Sequence, residues 1–193
     1  IAVNGGTFNI TIASTSNGGK AFSAGTEINV TDGTFTINTA GTNGTYTNTT
    51  GVADSYSTSC FSADTNINIS GGTYTLTVTG ADGKGMTADG TLNITNGNIT
   101  IIDSGAEGNA LKSDGILTIS GGTVNITISG AVVLTPSGSG NDASYSSGLK
   151  SSSQVNIMGG TVNVTATSTA TGARGISADS DINISGGNTT ITT

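Results

Sequence analysis

Apolar and polar residues alternate with a period of two through much of the chain. The alternation is strict in Thr73–Val78 and Thr123–Ile128, where Tyr, Leu, Val or Ile alternates with Thr or Asn. A period of two places one set of side chains on one face of an extended strand and the other set on the opposite face. No stretch has the apolar spacing of a helix. The pattern therefore predicts an all-β chain.

The strands belong to a repeat that ends in a glycine, often the second of a pair. Seven copies of the motif apolar, Asn or Thr, apolar, any residue, Gly/Asp/Asn, Gly end at Gly6, Gly33, Gly72, Gly97, Gly122, Gly160 and Gly187. The intervals between these glycines are 27, 39, 25, 25, 38 and 27 residues, so a unit of 25 residues carries insertions of 2, 14, 0, 0, 13 and 2. A fixed period in this range with localised insertions indicates a solenoid.

Each unit contains three short strands separated by glycine corners. A unit of 25 residues is too short for a strand, a helix and their loops, so each coil should be entirely β. We expect residues 1–193 to form a single domain, a right-handed parallel β-helix (solenoid) of about seven coils with three short strands per coil. Equivalent residues would lie about 4.8 Å apart, and the handedness follows from the crossover rule for parallel strands. The third strands should point these residues inward: Phe22, Phe61, Met86, Leu111, Leu149 and Ile176.

Composition narrows the classes of function. The chain of 193 residues has 31 Gly, no His, 5 Lys+Arg and a net charge of −7. We therefore expect no nucleic-acid partner, which needs a basic surface, and no membrane insertion, because no run approaches the ~20 apolar residues of a spanning helix. The single cysteine, Cys60, excludes an internal disulfide and should be a small buried residue. Divalent cations or neutral polymers are the favoured partners.

Low Lys content with abundant Thr, Asn and Gly is typical of secreted bacterial fibrous proteins. We therefore expect an extracellular or cell-surface location, and we expect the chain to be a mature fragment of a longer secreted protein.

A column of acidic residues is expected where the third strand ends. Asp64, Asp89 and Asp114 occupy the same position in three consecutive units, and Asp82 and Glu107 form a second aligned pair four residues before the inward apolar residue. Carboxylates about 5 Å apart repel by about 3 kcal/mol at an effective dielectric constant of 20. A calcium ion, which binds about six to eight oxygen atoms, would offset this repulsion. Without His, only oxygen ligands remain, which favours calcium over zinc or copper.

Two other interpretations of the acidic column stay open. The carboxylates can be solvated turn residues, or Lys112 and Lys150 can neutralise them from a neighbouring column. A catalytic interpretation would use Lys84, Lys112 or Lys150 as the base of a β-helix lyase. It is disfavoured because the chain has no His and no Ser with an evident base. We therefore expect a protein that is not an enzyme.

The two long insertions leave the same corner of the repeat. They span about residues 39–59 and 129–147 and end in similar strings, which contain Asp54 and Tyr56 in the first and Asp142 and Tyr145 in the second. Three coils separate the insertions, which places them about 14 Å apart along one edge. Two such loops could wall a carbohydrate-binding groove and present their tyrosines to a sugar face. The candidate carbohydrate-binding residues are Tyr56, Tyr145, Asp54 and Asp142. Alternatively, they cover the edge of the core with the rings packed down.

A regular outward face of Thr and Asn runs along the second strands. Ladders of these residues stabilise stacked β structure by themselves. The functional alternatives for this face are binding of an extended polysaccharide or binding of ice.

Two strings carry a resemblance to a known family. They are GADGKGMTADGTLNITNGNITI, from Gly80 to Ile101, and AEGNALKSDGILTISGGTVNITISG, from Ala106 to Gly130. These strings resemble the bacterial carbohydrate-binding β-helix family of clostridia and other Gram-positive bacteria, which is related in fold to pectate lyases. The resemblance implies a right-handed parallel β-helix, an acidic or cellulosic plant polysaccharide as ligand, and bound calcium.

The resemblance also assigns roles to particular residues. By motif, Asp82 and Asp89 match the first acidic unit of the family and Glu107 matches the second. The chain departs from the family at Lys112, where a further acidic residue is expected, and at Arg174, which lies in an Ala-Arg-Gly run in place of Asp-Asp-Gly.

We therefore predict a secreted, non-catalytic polysaccharide-binding β-helix with structural calcium and a pectin- or cellulose-like partner. The alternative is a structural or adhesive cell-surface module, an adhesin or a filament subunit that associates end to end. Ice binding comes third.

Overall fold

The computed structural model describes residues 1–167 and 172–193, and all of its regular structure there is β. The described residues form 22 strands, numbered here in chain order. The strands of the N-terminal half are β1 (Ala2–Ile12), β2 (Lys20–Ala24), β3 (Ile28–Thr39), β4 (Gly44–Thr47), β5 (Ala53–Tyr56), β6 (Ser59–Ala63), β7 (Ile67–Ile69), β8 (Thr73–Val78), β9 (Lys84–Ala88), β10 (Leu92–Ile94) and β11 (Asn98–Asp103). The strands of the C-terminal half are β12 (Asn109–Ser113), β13 (Leu117–Ile119), β14 (Thr123–Ile128), β15 (Val133–Ser137), β16 (Gly140–Ser144), β17 (Ser147–Ser151), β18 (Val155–Ile157), β19 (Thr161–Ala166), β20 (Arg174–Ala178), β21 (Ile182–Ile184) and β22 (Asn188–Thr192).

Most strands pair in parallel with the equivalent strand of the next repeat. One sheet of six strands has the order β2-β6-β9-β12-β17-β20. A second sheet of twelve strands has the order β21-β18-β13-β10-β7-β3-β8-β11-β14-β19-β22, with β1 paired to β3. Within these two sheets sequence neighbours therefore do not pair, and each strand finds its partner about one repeat away. The predictions of an all-β chain and of stacked parallel repeats are confirmed.

The division into three short strands holds in the later repeats and differs in the first two. Strands β1 and β3 each continue through the motif glycine, so that β3 pairs with β7 over its first part and with β8 over its second. The pairing of β1 with β3 shifts register around Asn4, just before the glycines of the first motif. A bulge of this kind bends a strand without ending it. The glycine corner is thus absorbed into one long strand in these copies.

The core consists of columns of equivalent inward side chains. Phe8, Phe35 and Tyr74 lie in register, and their rings stack with centroids 4.9 and 4.7 Å apart. Phe22 and Phe61 from the six-stranded sheet stack on each other at 4.9 Å and meet the first column edge to face. Aliphatic residues take over in later repeats. The inward residues predicted for the third strand are buried in four repeats, and Phe22 and Ile176 are half-buried.

The two long insertions form antiparallel hairpins. Strands β4 and β5 make the first hairpin, and β15 and β16 make the second. Both hairpins lie in the connection that leads from the twelve-stranded sheet into the six-stranded sheet, between β3 and β6 and between β14 and β17. The two repeats between them cross the same gap with short turns. This common corner places both hairpins beside the outer face of the six-stranded sheet, as the insertion spacing predicts.

Candidate functional site

A groove lies on the outer face of the six-stranded sheet between the two hairpins. It is made of two adjoining cavities of about 310 Å³ each. The first cavity includes Tyr145, Arg174, Ser177, Asp179, Lys112 and Lys150 in its lining. The second includes Tyr56, Asp82, Lys84, Asn109, Lys112 and Lys150. Because Lys112 and Lys150 line both cavities, the two form one continuous surface, called the groove below.

Each hairpin contributes one tyrosine to the groove. The ring of Tyr56 packs where a side chain at Gly18 or Gly44 would collide with it. Tyr145 packs against Gly172 in the same way, and the guanidinium carbon of Arg174 lies 3.8 Å from the centroid of its ring. The rings are therefore partly packed down, as the covering interpretation expects. Both are also half-buried and line the groove, as the binding interpretation expects.

All basic side chains of the protein lie on the six-stranded sheet. The chain has 5 Lys+Arg, and these are Lys20 in β2, Lys84 in β9, Lys112 in β12, Lys150 in β17 and Arg174 in β20. The last four line the groove and occupy four successive strands. A protein with a net charge of −7 thus concentrates its positive charge on one face.

Two of these cations are already neutralised by neighbouring carboxylates. The Lys84 ammonium lies 2.8 Å from Asp82 Oδ1 and also donates to the Asp82 main-chain oxygen. The Lys112 ammonium lies 2.6 Å from Asp114 Oδ1, which also accepts a hydrogen bond from the Ser152 hydroxyl at 3.2 Å. Burial lowers the pKa of Lys84, its pair with Asp82 opposes this, and the nearby Lys112 and Lys150 add to the lowering. The lysines of the groove therefore lie close enough to repel one another.

The other two cations of the groove, Lys150 and Arg174, lack such a carboxylate. Neither takes part in the two ion pairs found among residues 1–167 and 172–193. Ser152 stands two residues after Lys150, where Asp114 stands relative to Lys112. Gly172 stands two residues before Arg174, where Asp82 stands relative to Lys84. The later repeats thus keep a basic residue at each position, but Ser152 and Gly172 replace its acidic partner.

The column of Asp64, Asp89 and Asp114 exists and is exposed. The amide nitrogen of each donates to the carbonyl of the alanine that precedes the equivalent position one repeat earlier, so the three lie in register. In the part of the chain that the structure describes, no group of three or more His, Cys, Asp or Glu side chains could hold a metal ion. Asp114 is paired with Lys112, in line with the neutralisation alternative for that residue. Calcium binding stays a prediction, and its ligands would have to include main-chain carbonyls and water.

Asp82 and Glu107 occupy equivalent tight turns with positive φ, 50° and 51°. Their amides donate to the carbonyls of Ala106 and Ala131 in the next repeat, which stacks the turns. Asp tolerates this left-handed conformation, whereas Glu rarely adopts it. Asp82 lines the groove; Glu107 is not among its lining residues, although its main-chain oxygen accepts a hydrogen bond from Asn109.

Asp54 and Asp142 were predicted as carbohydrate ligands, and the structure places both on exposed hairpin positions outside the lining of the groove. Asp54 accepts hydrogen bonds from the Ser55 amide and the Tyr46 hydroxyl, which lower its pKa. These bonds tie Asp54 to its own hairpin. The structure thus joins Tyr56 and Tyr145 in one groove without the two aspartates.

One buried carboxylate was missed from the sequence. Asp103 ends β11, in register with Val78 and Ile128 on the neighbouring strands, and is fully buried. Its Oδ1 accepts from the Gly105 amide at 3.1 Å, while its Oδ2 has no partner among the described residues. Burial raises the pKa of Asp103 to about 8. The sequence signal for Asp103 was an acid at a position that is apolar in the neighbouring repeats.

Cys60 is buried as predicted, which raises its pKa to about 12.

The Thr and Asn face lies on the twelve-stranded sheet. Parts of this sheet are joined by side-chain ladders, in which an Asn amide donates to the equivalent Asn one repeat earlier. The donor and acceptor pairs are Asn68 to Asn29, Asn93 to Asn68, Asn163 to Asn125 and Asn183 to Asn156. Only the bond from Asn163 to Asn125 lies on the predicted outward face of the second strands, and it supports the structural interpretation of those two residues. The other three bonds join the first strands of the repeats. Ice binding by this face stays a prediction.

A stacked all-β scaffold that holds a groove with aromatic walls and a polar, charged floor has the features of a ligand-binding module. The model of the family described as carbohydrate-binding domain-containing protein matches residues 1–108 and 81–193, which together cover the whole chain. The chain belongs to this family. No curated protein and no solved structure matches it. No helix able to cross a membrane is present in the residues that the structure describes.

Proposed function

We propose that the protein is an extracellular, non-catalytic module that binds a polysaccharide in the groove. One observation carries the proposal: two separate insertions place Tyr56 and Tyr145 on one continuous polar surface. Aromatic rings contact the apolar face of a sugar ring, and the surrounding polar groups can bond to its hydroxyls. Family membership supports a carbohydrate as the ligand. The proposed ligands are pectin-like or cellulose-like chains.

The proposed scaffold is a right-handed parallel β-helix of seven coils. Seven strands, β1, β3, β8, β11, β14, β19 and β22, follow one another in parallel pairs and represent the seven copies of the motif. Parallel crossover connections are right-handed in nearly all proteins, which supports the handedness. The groove would then run along the axis of the helix.

The test is retention of the purified protein on pectin and on cellulose, with Tyr145→Ala and Tyr56→Ala as variants. We expect wild-type protein to be retained and each variant to lose about fivefold in affinity, since an aromatic contact contributes about 1 kcal/mol. Val52→Ala is the control, because Val52 is an exposed residue of the first hairpin outside the lining of the groove. Tyr46 is unsuitable, since its ring stacks on that of Tyr56 at 6.2 Å. No retention of the wild type on any glycan would overturn the proposal. Release of new chain ends from pectin would contradict a non-catalytic role.

Structural calcium at the column of Asp64, Asp89 and Asp114 is a separate proposal. In-register carboxylates repel, and a divalent cation would relieve that repulsion. The expected result is a higher melting temperature in calcium than in EDTA, and a smaller difference in Asp89→Asn, which removes the central carboxylate. An unchanged melting temperature would contradict it.

A further inference from the structure

The positive charge of the groove is more than its own carboxylates neutralise. Lys84 and Lys112 have ion-pair partners in Asp82 and Asp114, whereas Lys150 and Arg174 have Ser152 and Gly172 at the matching positions. Asp179 also lines this part of the groove. One carboxylate near two cations leaves a net positive surface. A groove that binds only neutral sugars has no need of this excess, since two like charges on neighbouring strands repel.

The two cations lie where a ligand could reach both. Lys150 and Arg174 are on adjacent paired strands, β17 and β20, and both line the cavity beside Tyr145. Lys112 lies directly beside Lys150 in register, about 4.8 Å away along the sheet. The serines of the cavity, Ser147 and Ser177 among them, add hydroxyl groups on the same floor.

Arg174 is also held in a defined place. Its guanidinium carbon lies 3.8 Å from the Tyr145 ring centroid, and its Nη1 donates to the Ser177 hydroxyl at 3.4 Å. A guanidinium stacked on an aromatic ring keeps its edge free to donate two hydrogen bonds to one carboxylate. The lysine ammonium beside it is a point charge that accepts many geometries.

We propose that Lys150 and Arg174, supported by Lys112, bind the carboxylates of an acidic polysaccharide directly and without a metal ion, at the end of the groove walled by Tyr145. This inference depends on the proposed function, because it concerns the same groove. It selects the acidic ligand class over the neutral one. It also assigns charge recognition to side chains instead of to calcium.

The test measures binding of polygalacturonate by titration calorimetry in buffer with EDTA. We expect binding in EDTA and no comparable binding of a neutral cellulose oligosaccharide or of fully methyl-esterified pectin. Lys150→Gln and Arg174→Gln should each weaken binding about tenfold, because a hydrogen bond to a charged group contributes about 1.5 to 3 kcal/mol. Lys150→Arg should retain most of the affinity. Affinity should fall as salt concentration rises.

Lys20→Gln is the matched control, since Lys20 lies on the same sheet outside the lining of the groove. It should bind as the wild type does, and circular dichroism should show that all variants are folded. Polygalacturonate binding that disappears in EDTA, or that is unchanged in both Gln variants, would overturn the inference. So would binding of dextran sulfate without binding of polygalacturonate. Equal binding of neutral glycans would overturn the inference and leave the proposed function standing, whereas no binding of any glycan would overturn both.

Discussion

The twelve-stranded sheet presents mainly Thr and Asn side chains to solvent and contains no Lys or Arg, whereas the six-stranded sheet carries all 5 Lys+Arg of the protein. Both sheets belong to the same repeats and cover the same core. On the first sheet, Asn68 hydrogen-bonds to its own equivalents in the repeats before and after it. On the second, equivalent positions change identity from repeat to repeat, as Lys112 and Lys150 beside Thr87 and Ser177 illustrate.

This difference suggests a separate role for each sheet, one in stability and one in ligand recognition. In a ladder of identical residues the side chains hydrogen-bond to one another, and few donors or acceptors remain for a ligand. In a column whose residues change from one repeat to the next, some side chains have no partner within the protein. Under the proposed function, the first sheet belongs mainly to the scaffold and the second to binding. The following predictions test that division.

The largest expected effect concerns Asp103, the buried acid that ends β11 in the twelve-stranded sheet. The pKa of Asp103 is raised from 3.8 to about 8, mainly by burial. Below about pH 4 the Asp103 carboxyl group is protonated in both the folded and the unfolded state, so it does not lower the free energy of unfolding. Between about pH 4 and pH 8 only the unfolded state ionises, and the free energy of unfolding falls by up to about 1.4 kcal/mol per pH unit.

Asp103→Asn should remove this dependence. In EDTA, urea unfolding should show the variant to be more stable than wild type at pH 8, with the difference vanishing towards pH 4. The sign follows because Asn stays neutral in both states. A difference in stability that does not change with pH would contradict the assignment.

The second prediction compares a charge on each sheet. Lys150→Glu should weaken polygalacturonate binding by more than tenfold, because it replaces attraction by repulsion in the groove. Thr75→Glu places the same charge on the exposed face of β8 and should change the affinity less than twofold. Calorimetry on both variants decides the matter, and equal losses would remove the distinction between the sheets.

The third prediction concerns the Asn ladder. Asn68→Ala removes hydrogen bonds of 2.8 and 2.9 Å to Asn29 and Asn93 and should lower the free energy of unfolding by about 1 kcal/mol. Thr75→Ala, on an outward position of the same sheet, should cost less than about 0.5 kcal/mol. Urea unfolding measures both. Glycan affinity should not change in either variant, and a loss in Asn68→Ala would assign binding to this face.

The smallest effect is expected at a gap in that ladder. Thr118 lies in register between Asn93 and Asn156, so it interrupts the column of asparagines. Thr118→Asn should connect the two parts and raise the free energy of unfolding by about 0.5 kcal/mol. Thr118→Ser serves as the control and should not stabilise. A destabilised Thr118→Asn protein would show that the ladder bonds require the neighbours they already have.

Much of the fold is predictable because the same pattern of apolar residues and glycines recurs in every repeat. The period-two alternation gave the strands, and the glycine intervals gave the insertions and their common corner. The merging of two strands in β1 and β3 was not predictable, because the same motif glycine ends a strand in later repeats and continues one here. Only the packing around each copy distinguishes the two outcomes.

The candidate site was predictable in part. Tyr56 and Tyr145 were found because the insertions end alike, whereas Lys150 and Arg174 were first treated as charge partners or as departures from a family pattern. Their alignment with Lys112 and Lys84 in successive strands was visible in the sequence. The replacement of the aspartate by Ser152 in that alignment was visible as well. Which carboxylate pairs with which lysine was not, since this requires knowing which side chains lie within reach.

The number of repeats between the two hairpins sets the length of the groove. Each repeat adds one strand to the floor, or about 4.8 Å, so the distance between the tyrosine walls is counted in whole repeats. Duplicating one 25-residue unit in this stretch would move the walls apart by one step without altering either of them. The length of glycan that the protein can span would then be adjustable by gene duplication, independently of its chemistry.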